Sequence, residues 1–248
     1  MLVGVRFLRT AAVVVVFALP FGIVPPGKTV EVRYLGYLAG PEQVTDSSGR
    51  GLHGEVRTGG GGAVTSVLDP GGNRILRFPG GHCTSAPCPQ AIIRPAGSES
   101  LGGRGKFTFG ADIRLTEPAP LDAGMNVFQF GSAGDGHSQW KLQVDSGRPS
   151  CRWSDGTTVV KLDAGRPLTV GRWYRVTCAR LSPSLFQLRI RDPRTEGQVA
   201  APVQSTARLG DILPKGTVLI GGKRINPNRS DVDTDQFHGD LDAIEFTR

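Results

Sequence analysis

The chain has 248 residues, 38% of them hydrophobic, with 35 glycines, 18 prolines and a formal net charge of +7. That length and apolar content allow one large or two small domains with a core, and exclude a disordered chain. The basic balance raises nucleic acid as a partner, but the Lys and Arg residues are scattered over turns and alternating strand positions. No basic block interleaved with aromatics occurs, so nucleic acid is set aside. The surplus charge reads as a solvated surface, or as one drawn to acidic glycans or an anionic cell envelope.

In chain order, Arg6 and Arg9 precede the apolar run Ala11 to Leu19, and apolar character continues to Val24. A charged segment followed by an apolar one is the pattern of a secretory signal. Pro20 interrupts the run, which is short of the roughly 20 apolar residues a bilayer span needs. No A-x-A triplet marks a cleavage site. Residues 1–27 are therefore expected to be a signal peptide or an uncleaved signal anchor. Residues 28–248 are expected to form one secreted or extracytoplasmic domain. A membrane is involved only through the N-terminal segment, if that segment stays.

After the linker Pro25-Pro26-Gly27-Lys28 the pattern is all-β. Val30 to Leu38 is the first expected strand. Val44 to Gly54 reads as a turn-rich loop, because Asp and Ser cap their own backbone and glycines supply positive φ. Gly59 to Gly62 is a second loop. Short strands are expected at Ile75 to Phe78 and Ala91 to Ile93. Lys106 to Leu115 is the clearest strand, with Phe107, Phe109, Ala111, Ile113 and Leu115 alternating with Thr108, Gly110, Asp112 and Arg114. Glu117 to Asp122 is a proline-rich loop. Val127 to Gly131 pairs with Trp140 to Val144 around a Gly/Ser-rich turn. Cys151 to Ser154 pairs with Val159 to Leu162 around Asp155-Gly156, a strong hairpin signal. Gly171 to Cys178 and Leu185 to Arg191 follow, then Thr217 to Gly221 and a closing strand within Phe237 to Phe246. Strands at short, regular spacing with turns between them predict a sandwich.

The four cysteines form an even set in an exported chain, so two disulfides are expected. Three pairings exist on paper. The favoured one is Cys83–Cys88, closing the loop Cys-Thr-Ser-Ala-Pro-Cys, with Cys151–Cys178 tying two strands. Cys151 shares strand parity with Trp153, and Cys178 with Tyr174 and Val176, so both can face inward. The spacing lacks the CxxC pairs of a cysteine zinc site.

Three stretches together carry a family resemblance. Asp46-Ser47-Ser48-Gly49-Arg50-Gly51-Leu52-His53-Gly54, followed by Leu76-Arg77-Phe78-x-Gly80, resembles the opening of laminin-G-like domains of the concanavalin A-like lectin/glucanase superfamily. Gly171-Arg172-Trp173-Tyr174-Arg175-Val176 is similar to that family's mid-domain strand. Phe237-x-Gly239-x-Leu241-Asp242-x-Ile244 resembles its closing strand. The matches lie in family order from Val30 to Arg248. The resemblance implies a two-sheet antiparallel jelly-roll sandwich. It implies function poorly, since lectins, carbohydrate-binding modules, glycosidases, lyases and adhesion domains share the superfamily.

The closing strand holds three acids, Asp240, Asp242 and Glu245. Glycosidases of the superfamily place acids on alternate strand positions, and a retaining pair sits about 5–5.5 Å apart. Here the first acid is an Asp rather than a Glu, and the strand matches the family's non-catalytic closing strand. By strand parity Asp242 shares a face with Ile244 and Phe246, where a carboxylate needs a partner. The partner is expected to be a calcium ion or backbone amides of the first loop near Asp46. Asn226 to Asp235 is dense in oxygen ligands. Asp231, Asp233, Asp235 and Asp242 match positions 1, 3, 5 and 12 of an EF-hand loop by spacing. Gln236 stands where that loop requires glycine, and no helices flank it, so the alternatives are a plainer structural Ca²⁺ site and a solvated acidic turn. His53, His82, His137 and His238 show no ligand spacing and read as loop or edge residues. Trp140, Trp153 and Trp173 read by parity as core rather than as sugar platforms. The expected binding surface is then formed by the loops Gly131 to His137 and Lys223 to Asp235.

The expected function is non-catalytic binding of carbohydrate or of another cell-surface, matrix or cell-envelope ligand. The alternatives are a glycoside hydrolase or polysaccharide lyase of the same superfamily, and a structural cell-envelope protein. The enzyme reading requires Asp240 and Glu245 to line an open cleft.

Overall fold

The structure, a computed structural model, describes residues 28–119 and 124–248. The expected signal segment lies outside those residues. Strands dominate because the sequence alternates β-branched and aromatic residues with polar ones over short runs broken by Gly and Pro. In chain order they are β1 (Val30–Leu38), β2 (Gln43–Asp46), β3 (Gly54–Gly59), β4 (Thr65–Leu68), β5 (Arg74–Arg77) and β6 (Gln90–Pro95). The middle of the chain gives β7 (Phe107–Arg114), β8 (Gly124–Phe130), β9 (Ser138–Asp145), β10 (Arg148–Asp155) and β11 (Val159–Asp163). Then come β12 (Tyr174–Ser182), β13 (Leu185–Arg191), β14 (Val203–Ser205), β15 (Val218–Ile220), the single-turn helix α1 (Asp231–Thr234) and β16 (Asp240–Thr247).

One hydrogen-bonded path runs β11-β10-β9-β8-β15-β6-β3-β2-β1-β16-β7-β12-β13-β14, with β5 paired to β16 and β4 off the path. Every pairing along it is antiparallel. The path folds back on itself into the two-sheet jelly-roll sandwich. Aromatic rings meet across the layers. Phe109 of β7 packs on Trp140 of β9 at 4.7 Å between ring centroids, and Trp153 of β10 on Phe186 of β13 at 5.1 Å. Trp140 also meets Phe246 of β16 at 5.4 Å. Tilted and edge-on ring pairs of this kind add roughly 0.5–1.5 kcal/mol each beyond the area they bury.

Both disulfides are present, Cys83–Cys88 and Cys151–Cys178, the expected pairing. Cys151 lies on β10 and Cys178 on β12, strands far apart on the hydrogen-bonded path, so this bridge joins the layers.

Several sequence expectations change. The loop expected over Val44 to Gly54 begins inside β2. The segment Gly54–Gly59 is a full strand, and β4 and β14 were not anticipated. Asn226 to Asp235 is not wholly loop but carries α1. Trp140 and Trp153 are buried as expected, whereas Trp173 is half-buried, with the Arg114 guanidinium 5.0 Å from its ring centroid.

The closing strand differs most. Asp242 pairs with Asp112 and Glu245 with Gly110, so β16 carries one more residue than β7 over this stretch, a β-bulge. Ala243 takes up the extra residue at φ 42°. The bulge resets the parity. Leu241, Ile244 and Phe246 are buried, while Asp242, Ala243 and Glu245 reach the other face. Asp242 therefore does not share a face with Ile244 and Phe246.

Candidate functional site

Period-two alternation fixes what the sheet presents to solvent. In β8 to β11, Phe128, Phe130, Trp140, Leu142, Cys151, Trp153, Val160 and Leu162 are buried. The residues between them face outward, and register puts them in one row. Gln129 pairs with Lys141, Lys141 with Arg152 and Arg152 with Lys161, and Leu219 of β15 lies beside Gln129. Three cations thus stand directly opposite one another on adjacent strands. Like charges so placed oppose folding; Asp235 beside Lys141, and Asp145 and Asp163 beside Lys161, offset part of that repulsion and leave Arg152, between the two lysines, without a carboxylate among the ion pairs of the described residues.

The row forms the floor of a cleft of about 970 Å³. Arg57 of β3 and Arg94 of β6 extend the floor, and Lys215, Lys223 and Arg224 stand on the surrounding loops. Eight cations line the cleft, against one carboxylate, Asp235. Gln129, Gln139 and Gln143 add amides. The loop residues Gly131 to Ala133 and Lys223 to Ile225 frame the rim, so parts of both expected binding loops border the cleft. The sheet floor between them was not anticipated.

Polar satisfaction on this floor is incomplete. Lys141 Nζ donates to Asp235 Oδ2 at 3.0 Å. Burial pushes the Lys141 ammonium below the usual lysine value, with Asp235 opposing and Lys223 assisting. Arg152 Nε and Gln139 Oε1 are buried without a hydrogen-bond partner. A buried donor left unpaired costs roughly 1–3 kcal/mol. The arrangement can receive an extended anionic ligand whose oxygens accept from Arg152 Nε, while Gln139 Oε1, itself an acceptor, requires a donor such as a sugar hydroxyl.

The acids of the closing strand take other roles. Asp240 is fully buried, and accepts from Arg77 Nε at 2.8 Å and from Arg114 Nη2 at 2.6 Å. Glu245 accepts from Arg33 Nη2 at 2.8 Å. Asp240 thus lines no open cleft, contrary to what a glycosidase pair requires. Asp242 does not bond the first loop. Asp46 does so itself, accepting from the amides of Arg33 at 3.0 Å, Ser48 at 2.9 Å and Leu52 at 2.9 Å. Burial works to raise the Asp46 carboxyl, but those amides outweigh it and hold it below the usual range. Asp242 lines a small pocket with Asp69, Asp112, Trp173 and Arg175, and its Oδ1 is buried without a partner. Burial lifts its carboxyl to about 6, and the nearby Asp112 and Asp69 add to the rise.

The other acids singled out by spacing point to separate partners. Asp231 accepts from Cys83 N at 2.6 Å, Asp233 from Ser230 Oγ at 3.2 Å and Asp235 from Lys141. The only cluster of three metal-capable side chains among the described residues is His82, Asp231 and His238. Sequence spacing hid it, because 148 residues separate Cys83, the neighbour of His82, from Asp231.

No protein-family model and no curated protein matches the sequence. Solved structures do share the fold. The receptor-binding domain of botulinum neurotoxin D matches with a TM-score of 0.54 and 13% identity over 88% of this chain and 48% of that one. The binding domain of Paraclostridial Mosquitocidal Protein 1 matches with a TM-score of 0.54, 14% identity and the same coverage. Botulinum neurotoxin type C, which depends on interaction with two ganglioside molecules to enter cells, matches with a TM-score of 0.52 and 11% identity over 88% of this chain and 47% of that one. The chain spans about half the length of these structures. At such identities the likeness concerns the fold, a β-sandwich.

Proposed function

We propose that this chain is a non-catalytic binding module of the laminin-G-like kind, acting outside the cytosol, and that it binds an acidic glycan along the cleft over β8 to β11. The observation that carries this reading is the row Lys141, Arg152 and Lys161, opposed strand to strand. The carboxylates beside Lys141 and Lys161 offset only part of the repulsion in this row, and a charge-bearing ligand over Arg152 and the surrounding cations supports keeping it. Extended carboxylated or sulfated sugars match a row of evenly spaced cations, since charge-assisted hydrogen bonds to anions are about twice as strong as neutral ones. The two disulfides suit an oxidising compartment. Among the described residues no helix is long and apolar enough to cross a membrane.

A lyase or hydrolase reading finds less support in the cleft. No Tyr or His is among its lining residues, and its one carboxylate is held by Lys141. The neurotoxin domains bind receptors, one of them gangliosides, but they are twice as long, and the charge of this cleft carries the reading instead.

The test is binding to arrays of neutral, sialylated, uronate-rich and sulfated glycans. Acidic glycans are expected to bind and neutral ones not, with affinity falling steeply as salt rises. Arg152→Ala and Lys141→Ala are each expected to weaken binding about ten- to a hundredfold, in line with about 1.5–3 kcal/mol for a charged hydrogen bond. Equal binding to neutral and acidic glycans would overturn the proposal, as would unchanged affinity in both variants.

A further inference from the structure

We propose that His82, Asp231 and His238 form a zinc site that ties the disulfide loop to the start of β16. His82 immediately precedes Cys83, which is fixed by the Cys83–Cys88 bridge. Asp231 opens α1, and His238 lies just before β16. One donor atom from each comes within 4.8 Å of the others. Hydrogen bonds that hold these side chains in place are already formed. Cys83 N donates to Asp231 Oδ2 at 2.6 Å, and Asp231 N donates back to the Cys83 carbonyl at 3.1 Å. His238 Nδ1 lies 2.6 Å from the Pro79 carbonyl oxygen. A carbonyl only accepts, so Nδ1 carries the hydrogen. A ring N–H held by a backbone carbonyl is the usual support of a metal-binding histidine.

That leaves His238 Nε2 facing Asp231 Oδ2 at 2.8 Å, with both groups nearly fully buried. Two lone pairs cannot face each other at that distance, so a positive charge must lie between them, either a proton or a metal ion. Asp231 Oδ1 supplies the second observation: it is buried and has no hydrogen-bond partner. His82 Nδ1 lies 3.7 Å from Asp231 Oδ2, and its ring is 29% exposed, which leaves solvent access for a fourth ligand. Donors roughly 2.0–2.2 Å from a tetrahedral zinc sit about 3.3 Å from one another, so small side-chain shifts bring these three into place. Two imidazoles and one carboxylate suit zinc. Calcium takes six to eight oxygens and is a poor match for a mainly nitrogen donor set. The site is independent of the glycan reading, although Asp235, the partner of Lys141 in the cleft, immediately follows α1.

The test strips the full chain with a chelator and titrates it with zinc by calorimetry and thermal unfolding, with cobalt as a spectroscopic stand-in. One zinc per chain, a raised Tm and the visible bands of four-coordinate cobalt are expected. His82→Ala, a change at an exposed ring, is expected to weaken zinc binding about tenfold or more while the circular dichroism spectrum stays unchanged. His238→Gln is a second variant that removes a ligand and keeps a polar group. Absence of zinc binding to the full chain would overturn the proposal, showing that only a proton bridges His238 and Asp231. Zinc binding undiminished in both variants would overturn it too, as would a calcium-only rise in Tm.

Discussion

Asp242 shows how a residue's meaning depends on what surrounds it. Its sequence neighbours suggested a buried carboxylate seeking amides or calcium. Burial lifts its carboxyl to about 6, the neighbouring acids Asp112 and Asp69 add to the rise, and the Ala243 backbone amide and Arg175 oppose it only in part. Arg175 is committed elsewhere, donating to Asp112 from Nε at 2.7 Å and to Glu196 from Nη1. An unfolded Asp titrates near 3.9, so the native state holds this proton more tightly than the unfolded chain. Between about pH 4 and pH 6 the folded form therefore binds the extra proton, and stability falls as pH rises through that window. Asp242 is partly solvated, which trims the effect to about 1 kcal/mol. Asp242→Asn is expected to be more stable than the parent by that amount at neutral pH, and equal to it below about pH 4. Urea unfolding of both proteins across the range checks this, and a gap that does not change with pH counts against it.

At the scale of the element, β16 and the β8 to β11 hairpins make the contrast. The hairpins were legible because turn chemistry sets register: Asp155-Gly156 closes β10 onto β11 and places Arg152 opposite Lys161. The outward row could have been read from that register, had the residues between the core positions been aligned across strands. The bulge in β16 could not. Its signal is one Ala at φ 42°, a conformation no propensity assigns to alanine. It arises because β16 must pair with β1, β5 and β7 together. Gly110, opposite Glu245, answers a different constraint: a Cβ there would collide with the Val176 carbonyl oxygen of β12, on the other side of β7. Ala243→Gly should raise stability by about 0.5 kcal/mol, because glycine adopts positive φ without the penalty of a Cβ. Denaturant midpoints measure it, and a loss of stability would mean that the bulge is not strained.

For the whole molecule, the two disulfides act at different ranges. Cys83–Cys88 closes a separation of 5 residues and steadies one loop. Cys151–Cys178 closes 27 residues and joins the two layers beside Trp153. Replacing the second pair by alanines should cost about 3.5 kcal/mol, and replacing the first about 2 kcal/mol. Chemical denaturation of the two double variants decides it. The reverse order would show that the layers hold without their bridge.

Patterning alone determined the class of fold, most of the strands and the burial of Trp140 and Trp153, and it favoured, among three pairings, the disulfides that the structure holds. These follow from period-two alternation and turn residues, which act over a few positions. Tertiary structure alone decided the basic cleft, the His82–Asp231–His238 cluster and the company of Asp242. Each joins residues from different strands or distant loops, and their proximity depends on sheet register and a bulge. Scattered cations became a row only because three strands, β9, β10 and β11, lie side by side, and Asp240 and Glu245 of the closing strand became structural only because Arg33, Arg77 and Arg114 arrive from elsewhere in the chain.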